Sequence, residues 1–205
     1  MGREPFCFIF RPQFFAASSA AFFALIAFAK LPAADIFARA MPELEPPDTH
    51  YVSFAQGWLE LGDVAAARAD LERVSVAARE HPEVLAVRWG ILAEERRWAE
   101  ALAVAAELIK VAPEVPAGWI NQAFALHELK GTAEARLQLL TVVKKFPRVS
   151  IIPYNLACYA CQLGDLHESI AWLAKASAIA GKNEIKQMAL ADRDLEPLWP
   201  AIIKL

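Results

Sequence analysis

Glycine is scarce in this chain, eight residues in 205, which removes the glycine-rich loops that let a backbone wrap a phosphate. Cysteine is scarcer still: Cys7, Cys158 and Cys161 are too few to staple a small fold with disulfides. Neither sign of charge dominates. Acidic residues number 24 against 21 basic, a net of −3, so nucleic acid finds no electrostatic footprint. The spacings Ser-x-x-Lys, Gly-x-Ser-x-Gly and His-Glu-x-x-His do not occur, and His50, His81, His127 and His167 have no catalytic partner close by in sequence. The sequence carries no enzyme signature and no set of residues for a cofactor or a metal.

One stretch near the start differs in composition from the rest of the chain. Gln13–Ala29 has no charge, and nine of the twelve phenylalanines fall in the first 40 residues, which carry a net +2 against −5 for the remainder. Arg3 and Arg11 precede this run and Ala27-Phe28-Ala29 closes it in small-x-small form, the pattern of an export signal cleaved before Lys30. At 17 residues it is short for a membrane span, which needs about 20, although tilt and flanking residues would let residues 13–29 serve as an uncleaved anchor. Pro12 and the cluster Phe6–Phe10 do not suit a simple basic leader. Met41 then opens MPELEPPDTHYVSFAQGWLELGD, which reads as a complete acidic N-terminus running into a helix. Three readings of residues 1–40 therefore stand side by side: an upstream artefact with translation starting at Met41, a signal or anchor, and a docked N-terminal helix. The first places the protein in the cytoplasm. The second exports it or holds it at a membrane.

What the remaining chain has in abundance is a repeated small residue. Ala67, Ala101, Ala135 and Ser169 stand 34 residues apart, the mark of stacked helical hairpins whose two helices cross where a side chain is short. Other columns keep the register: Ala55, Ala123 and Ala157; Trp58, Leu92 and Leu126; Leu71, Leu139 and Leu173; Pro113 and Pro147. Each unit reads as a first helix, a short turn, a second helix and a proline-bearing link, with units at 48–81, 82–115, 116–149 and 150–181. Tyr51, Phe54, Ala55 and Trp58 at i, i+3, i+4 and i+7 set one face of the opening helix, and Leu61-Gly62-Asp63 ends it, as Leu163-Gly164-Asp165 does in unit four. The second helix of unit one is expected to run to about His81, where Pro82 breaks it. Unit two departs from the pattern: Trp89 takes an alanine column, Ala105 a leucine column, and Arg96-Arg97 replaces the glycine turn.

These residues resemble the tetratricopeptide repeat family over about Asp48–Ala180. The shared elements are an early aromatic, a small residue one turn on, a Gly-Asp turn, an alanine at the crossing and a proline at the unit's end. The run Met41–Trp199 is also similar to a group of small bacterial proteins of this class that open MPELEPPD-x-H and close on a DLEPLW-type end. The resemblance implies an all-α fold, a right-handed α-α superhelix of about four hairpins spanning residues 41–181. Residues 182–205 would be a capping segment that shields the last unit and docks Leu198 and Trp199.

The resemblance also implies a binding scaffold whose first helices line a concave groove. By helical spacing the groove residues are Val52, Gln56, Leu59 and Glu60; Ala86, Gly90, Ala93 and Glu94; Ile120, Phe124, His127 and Glu128; Tyr154, Cys158, Cys161 and Gln162. The Lys and Arg that let some members of the family grip a chaperone's C-terminal carboxylate are missing, and only Asn121 and Asn155 remain. The expected partner is a protein or peptide, with Phe124 and Tyr154 either anchoring it or packing between units. A membrane enters only if residues 13–29 are retained. Cys158-x-x-Cys161 falls in mid-helix rather than at a helix N-terminus, where a redox thiol would be activated, so both read as small packing residues. N-terminal sequencing of the native protein tests the start: a chain beginning at Met41 removes export, and one beginning at Lys30 removes the artefact.

Overall fold

The turn that ends each first helix sets the geometry of the array. At Gly62, Arg96, Lys130 and Gly164, again 34 residues apart, the backbone takes a positive φ of 80°, 55°, 70° and 87°. One residue later, the amide of Asp63, Arg97, Gly131 or Asp165 donates back to the carbonyl of Trp58, Leu92, Leu126 or Ala160, each at 2.9 Å. A left-handed residue closing a six-residue loop caps the helix and reverses the chain. Glycine does this without strain at two of the positions, while Arg96 and Lys130 are held there against their own preference. Asp63 and Asp165 then accept from the amides of Ala66 and Glu168 at 2.9 Å, starting the next helix.

The computed structural model describes residues 43–204; residues 1–40, with the apolar run at 13–29, lie outside them. Four hairpins follow: α1 Asp48–Glu60 with α2 Val64–Glu72, α3 Pro82–Glu94 with α4 Trp98–Val111, α5 Pro116–Glu128 with α6 Thr132–Val142, and α7 Ile151–Gln162 with α8 Leu166–Ala180. Gly181, at φ 105°, breaks the chain into α9 Lys182–Ala191, a 3₁₀ segment Arg193–Leu198 and a short α10 Trp199–Ile203. Among the described residues there is no strand. The molecule is an all-α helical repeat.

Ala67, Ala101, Ala135 and Ser169 are all wholly buried at the crossings. Ser169 keeps its hydroxyl satisfied by donating to the Ala157 carbonyl of α7 at 2.7 Å. In unit two the exchanged sizes both fit, with Trp89 at 1 % exposure and Ala105 at 0 %. Phe124 of α5 meets Trp89 and Trp98 edge-on, ring centres 6.3 and 5.6 Å away, so an aromatic cluster joins units two and three. Successive first helices touch one another, α1 to α3, α3 to α5 and α5 to α7, far more than successive second helices do. The stack therefore curves with the first helices inside.

The second helix of unit one is shorter than its sequence suggests. It stops at Glu72, and Val76–Ala78 forms a separate 3₁₀ turn. Val74, Ser75 and Val76 are poor helix formers, and Asp48 at the start of α1 captures Ser75, accepting from its amide at 2.8 Å and its hydroxyl at 2.6 Å. Val52, Ala55, Ala67, Leu71, Val74, Val84, Val87 and Ile91 make a separate small core there, while α3 turns Leu85, Trp89 and Leu92 into the long core that runs to Ile202.

Gly118 marks the closest approach of α5 to α4. A Cβ there would lie 2.9 Å from Ile109 Cγ1 and 3.1 Å from its backbone nitrogen. Gly118→Ala should destabilise the protein by about 1–3 kcal/mol. Gly57→Ala, in mid-helix with nothing within 4 Å, should stabilise it by about 0.5–1 kcal/mol. Urea denaturation of both variants tests the pair, and equal responses would refute the packing argument.

Candidate functional site

The inner face assembled from α1, α3, α5 and α7 contains the expected groove residues, but at very different depths. Gln56 is exposed and Ala86 half-buried. Val52 instead packs inward with Val84, Val87 and Ile91, and Ile120 belongs to the long core at 3 % exposure. Gly90 is buried as well. Neighbouring first helices approach so closely that positions one turn from the crossing are covered by the next unit rather than left facing the groove. Phe124 is half-buried between Trp89 and Trp98, the inter-unit alternative of the two the sequence left open.

At the C-terminal end the groove face is covered. Every residue of α7 from Ile151 to Cys161 is buried, because the chain turns back after α9 and lays Asp192–Leu198 across it. Asp192 Oδ2 accepts from the Tyr154 hydroxyl at 3.0 Å and lies 3.4 Å from the Cys158 thiol. Gln162 donates to the Asp194 carbonyl at 2.9 Å. Asp194 Oδ2 reaches His127 Nε2 of unit three at 3.1 Å. His127 in turn meets the Thr132 hydroxyl at 2.9 Å through Nδ1, and its ring lies 5.0 Å from that of Tyr159. His127, Tyr154, Cys158 and Gln162, all groove residues by spacing, are thus brought together around one segment of their own chain. Leu195 and Leu198 of that segment are buried, at 0 % and 4 % exposure.

Asp192 and Asp194 are the residues that spacing alone did not mark. They lie outside the 34-residue period, so no column points to them. The available signal was chemical: two carboxylates in DRDLEPLW beside a tyrosine and a histidine on successive first helices. Trp199 has the structural role expected of it, its indole N–H donating to the Ala189 carbonyl at 2.9 Å and lying 3.3 Å from that of Asp192.

The electrostatics separate this face from the outer one. Burial pushes the Asp192 carboxyl above its ordinary range and the neighbouring Asp194 charge adds to it, against hydrogen bonds from the Asp194 amide, Tyr154 and Cys158. Burial likewise raises Tyr154 and Cys158 well above their usual values, and Asp192 adds to both. Desolvation raises Glu60 and Glu94, which with Glu128 and Gln162 end the four first helices one period apart. On the outside, hydrogen bonds from arginine lower the carboxyls of Glu95, Glu100 and Glu168. Arg68 and Arg97 share Glu95, and Arg136 clasps Glu168 at 2.7 Å.

Both thiols of the Cys-x-x-Cys are free, buried and raised in pKa, chiefly by that burial. A redox dithiol needs an exposed cysteine of lowered pKa, and neither condition is met. Among the described residues no group of three or more His, Cys, Asp or Glu is placed to hold a metal. At the other end of the array α1 has no preceding unit among the described residues, and Phe54, Trp58 and Leu61 stand exposed.

No family model matches the chain, and no curated protein does. Among solved structures, the MamA RS-1 ArsTM double mutant is similar in fold, with a TM-score of 0.57 at 16 % identity over 79 % of this chain and 96 % of that one. MamA is tetratricopeptide-like, so the likeness places this chain among helical repeats of that type in architecture.

The raised Asp192 pKa fixes the sign of a pH effect. A carboxyl that holds its proton more tightly folded than unfolded favours folding at low pH. That advantage is lost as pH rises from the ordinary carboxylate value through the raised one. Asp192→Asn removes the titration, while Tyr154, Cys158, Asp194 and the His127 facing Asp194 remain. Wild-type stability relative to Asp192→Asn should therefore fall as pH rises above the ordinary carboxylate value of about 4, read as the difference in urea midpoints. A constant difference would mean the carboxylate stays solvated.

Proposed function

We propose that this protein is a non-enzymatic scaffold that binds a peptide segment of a protein partner along the inner face of its helical stack. The observation that carries the reading is the seating of Asp192–Leu198 on that face. A non-periodic stretch of chain lies across two units there, held by side chains of α5 and α7 through Tyr154, Gln162 and His127. Binding an extended or turned segment by a few polar contacts around buried apolar anchors is how helical grooves recognise peptides. The inner surface continues beyond the seated segment through Glu128, Glu94, Ala86, Glu60 and Gln56, which are partly or fully accessible.

The charge of that surface narrows the partner. Glu94 is partly shielded from water, and neither it nor the exposed Glu60 has a basic side chain bonded to it among the described residues. A partner that brings Lys or Arg to this row relieves the desolvation, whereas a carboxylate placed against the row itself is repelled. A second reading, a membrane-held or exported assembly component, rests on residues 13–29. These lie outside the described residues, among which no helix is long and apolar enough to cross a membrane.

Reversing the charge of the accessible row tests the scaffold reading. Proteins captured from the native cell by the wild type should be lost by about tenfold or more with Gln56→Arg/Glu60→Arg. Both side chains are exposed, so the melting temperature should stay within about 2 °C. An undiminished set of captured proteins would overturn the inner face as the binding surface.

A further inference from the structure

The segment Asp192–Leu198 is more than the end cap that a solenoid requires. The face of α8 left by the last hairpin is already covered by α9, whose Ile185 and Ala189 are buried at 3 % and 1 % exposure. The segment packs chiefly on α7 and only slightly on α8, and through Asp194 it reaches across to His127 of unit three. It thus lies where a ligand of the groove would lie, bonded by the side chains that line it.

We infer that this seat is a recognition site for acidic, leucine-bearing segments, and that a partner carrying an Asp-x-Asp-Leu sequence occupies it by displacing the chain's own copy. The inference rests on the groove reading above and names the ligand. Each element of the motif has its receptor. The first carboxylate meets the Tyr154 hydroxyl at 3.0 Å with the Cys158 thiol at 3.4 Å. The second meets His127 Nε2 at 3.1 Å, and the carbonyl of the same residue accepts from Gln162 at 2.9 Å. Leucine follows at once: Leu195 is wholly buried.

Exchange requires a hold whose polar contacts are specific but weak around its buried leucines, and the polar contacts have that character. Asp192 is desolvated with no cation bonded to it, satisfied by a phenol, a weak thiol donor and the Asp194 amide at 3.0 Å. The Tyr159 hydroxyl is buried close by with no hydrogen-bond partner among the described residues. Such groups lower the return from docking. The segment itself is a 3₁₀ turn containing Pro197, entered through an extended Asp192 at φ −97°, ψ 116°, so it can swing away without unwinding α9. The tether gives the chain's own copy a high effective concentration, of millimolar order for a short linker. A displacing partner must therefore add contacts along the open row from Glu128 to Gln56, which makes the segment a filter against short or accidental matches.

The test uses the full chain and a labelled synthetic peptide, ADRDLEPLW, the sequence of residues 191–199. Asp194→Lys loosens the resident segment by removing its half-exposed bond to His127 while leaving the leucines in place. The peptide should bind this variant at least about tenfold more tightly than the wild type, and its Asp-to-Asn counterpart should lose most of that gain. A variant that melts like the wild type yet binds neither peptide, or both equally, would overturn the inference. Hydrogen exchange on the wild type gives an independent readout. Millimolar peptide should accelerate exchange of amides 193–204 by about tenfold while α7 stays protected, and unchanged exchange would overturn the displacement. Dimerisation of the wild type with concentration, abolished by Asp194→Lys, would show that the ligand is a second copy and not a different partner. If the peptide fails while capture still depends on Gln56 and Glu60, the groove reading stands and this inference alone falls.

Discussion

Everything in this molecule depends on how closely two helices approach at Ala67, Ala101, Ala135 and Ser169. A backbone separation set by a single methyl or hydroxymethyl brings the flanking positions into van der Waals contact. That is why the leucine columns at Leu71, Leu139 and Leu173 are buried. Because the crossing repeats, each hairpin leaves the same face for the next, and the chain builds a continuous core by adding units. Unit two shows the tolerance of the arrangement. Trp89 and Ala105 depart from the sizes of their columns in opposite directions and both remain buried in the same core.

The backbone obeys the period more strictly than the letters do. Gly62 and Gly164 were readable as left-handed turn positions, but Arg96 and Lys130 take the same conformation without the residue that favours it. The reason is tertiary: once α3 and α5 are packed on both sides, the chain must reverse there, and the packing supplies what a side chain with a Cβ costs in that region. The hairpins, their crossings and their turns were thus legible in the sequence, since each rests on local chemistry repeated four times. Where a single contact overrides local tendency, the reading stopped short. Asp48 capturing Ser75 cuts α2 at Glu72, and no periodicity encodes that. Val52 and Ile120 were read as groove residues because spacing gives an angle around one helix, whereas their burial depends on how near the neighbouring helix comes.

The two ends of the array meet the same problem differently. A stack of hairpins always leaves one apolar face at each end. Among the described residues the first end keeps Phe54, Trp58 and Leu61 in the open, while the last is covered twice, by α9 and then by the returning segment with α10. The second layer is where the candidate site departed most from what the sequence displayed. Spacing put His127, Tyr154 and Cys158 on the inner face, and the segment of the chain that meets them there was not foreseen. Asp192 and Asp194 sit in a non-repeating tail whose apolar letters, Leu195, Leu198 and Trp199, already accounted for its presence.

The acids of the two faces stand in different environments. On the outer face Glu95, Glu100 and Glu168 are paired with arginines and have lowered pKa values, so their contribution to folding is present at neutral pH and is lost on acidification. Pairs at or near the surface are individually weak, but Arg68–Glu95 ties unit one to unit two and Arg136–Glu168 ties unit three to unit four. On the inner face Glu60, Glu94 and Asp192 are raised by desolvation, and the sign reverses: their charged forms work against folding as pH rises. Glu60 and Glu94 stand on the face along which the chain lays its own segment, and Asp192 lies within that segment, where hydrogen bonds from Tyr154 and the Asp194 amide offset its desolvation.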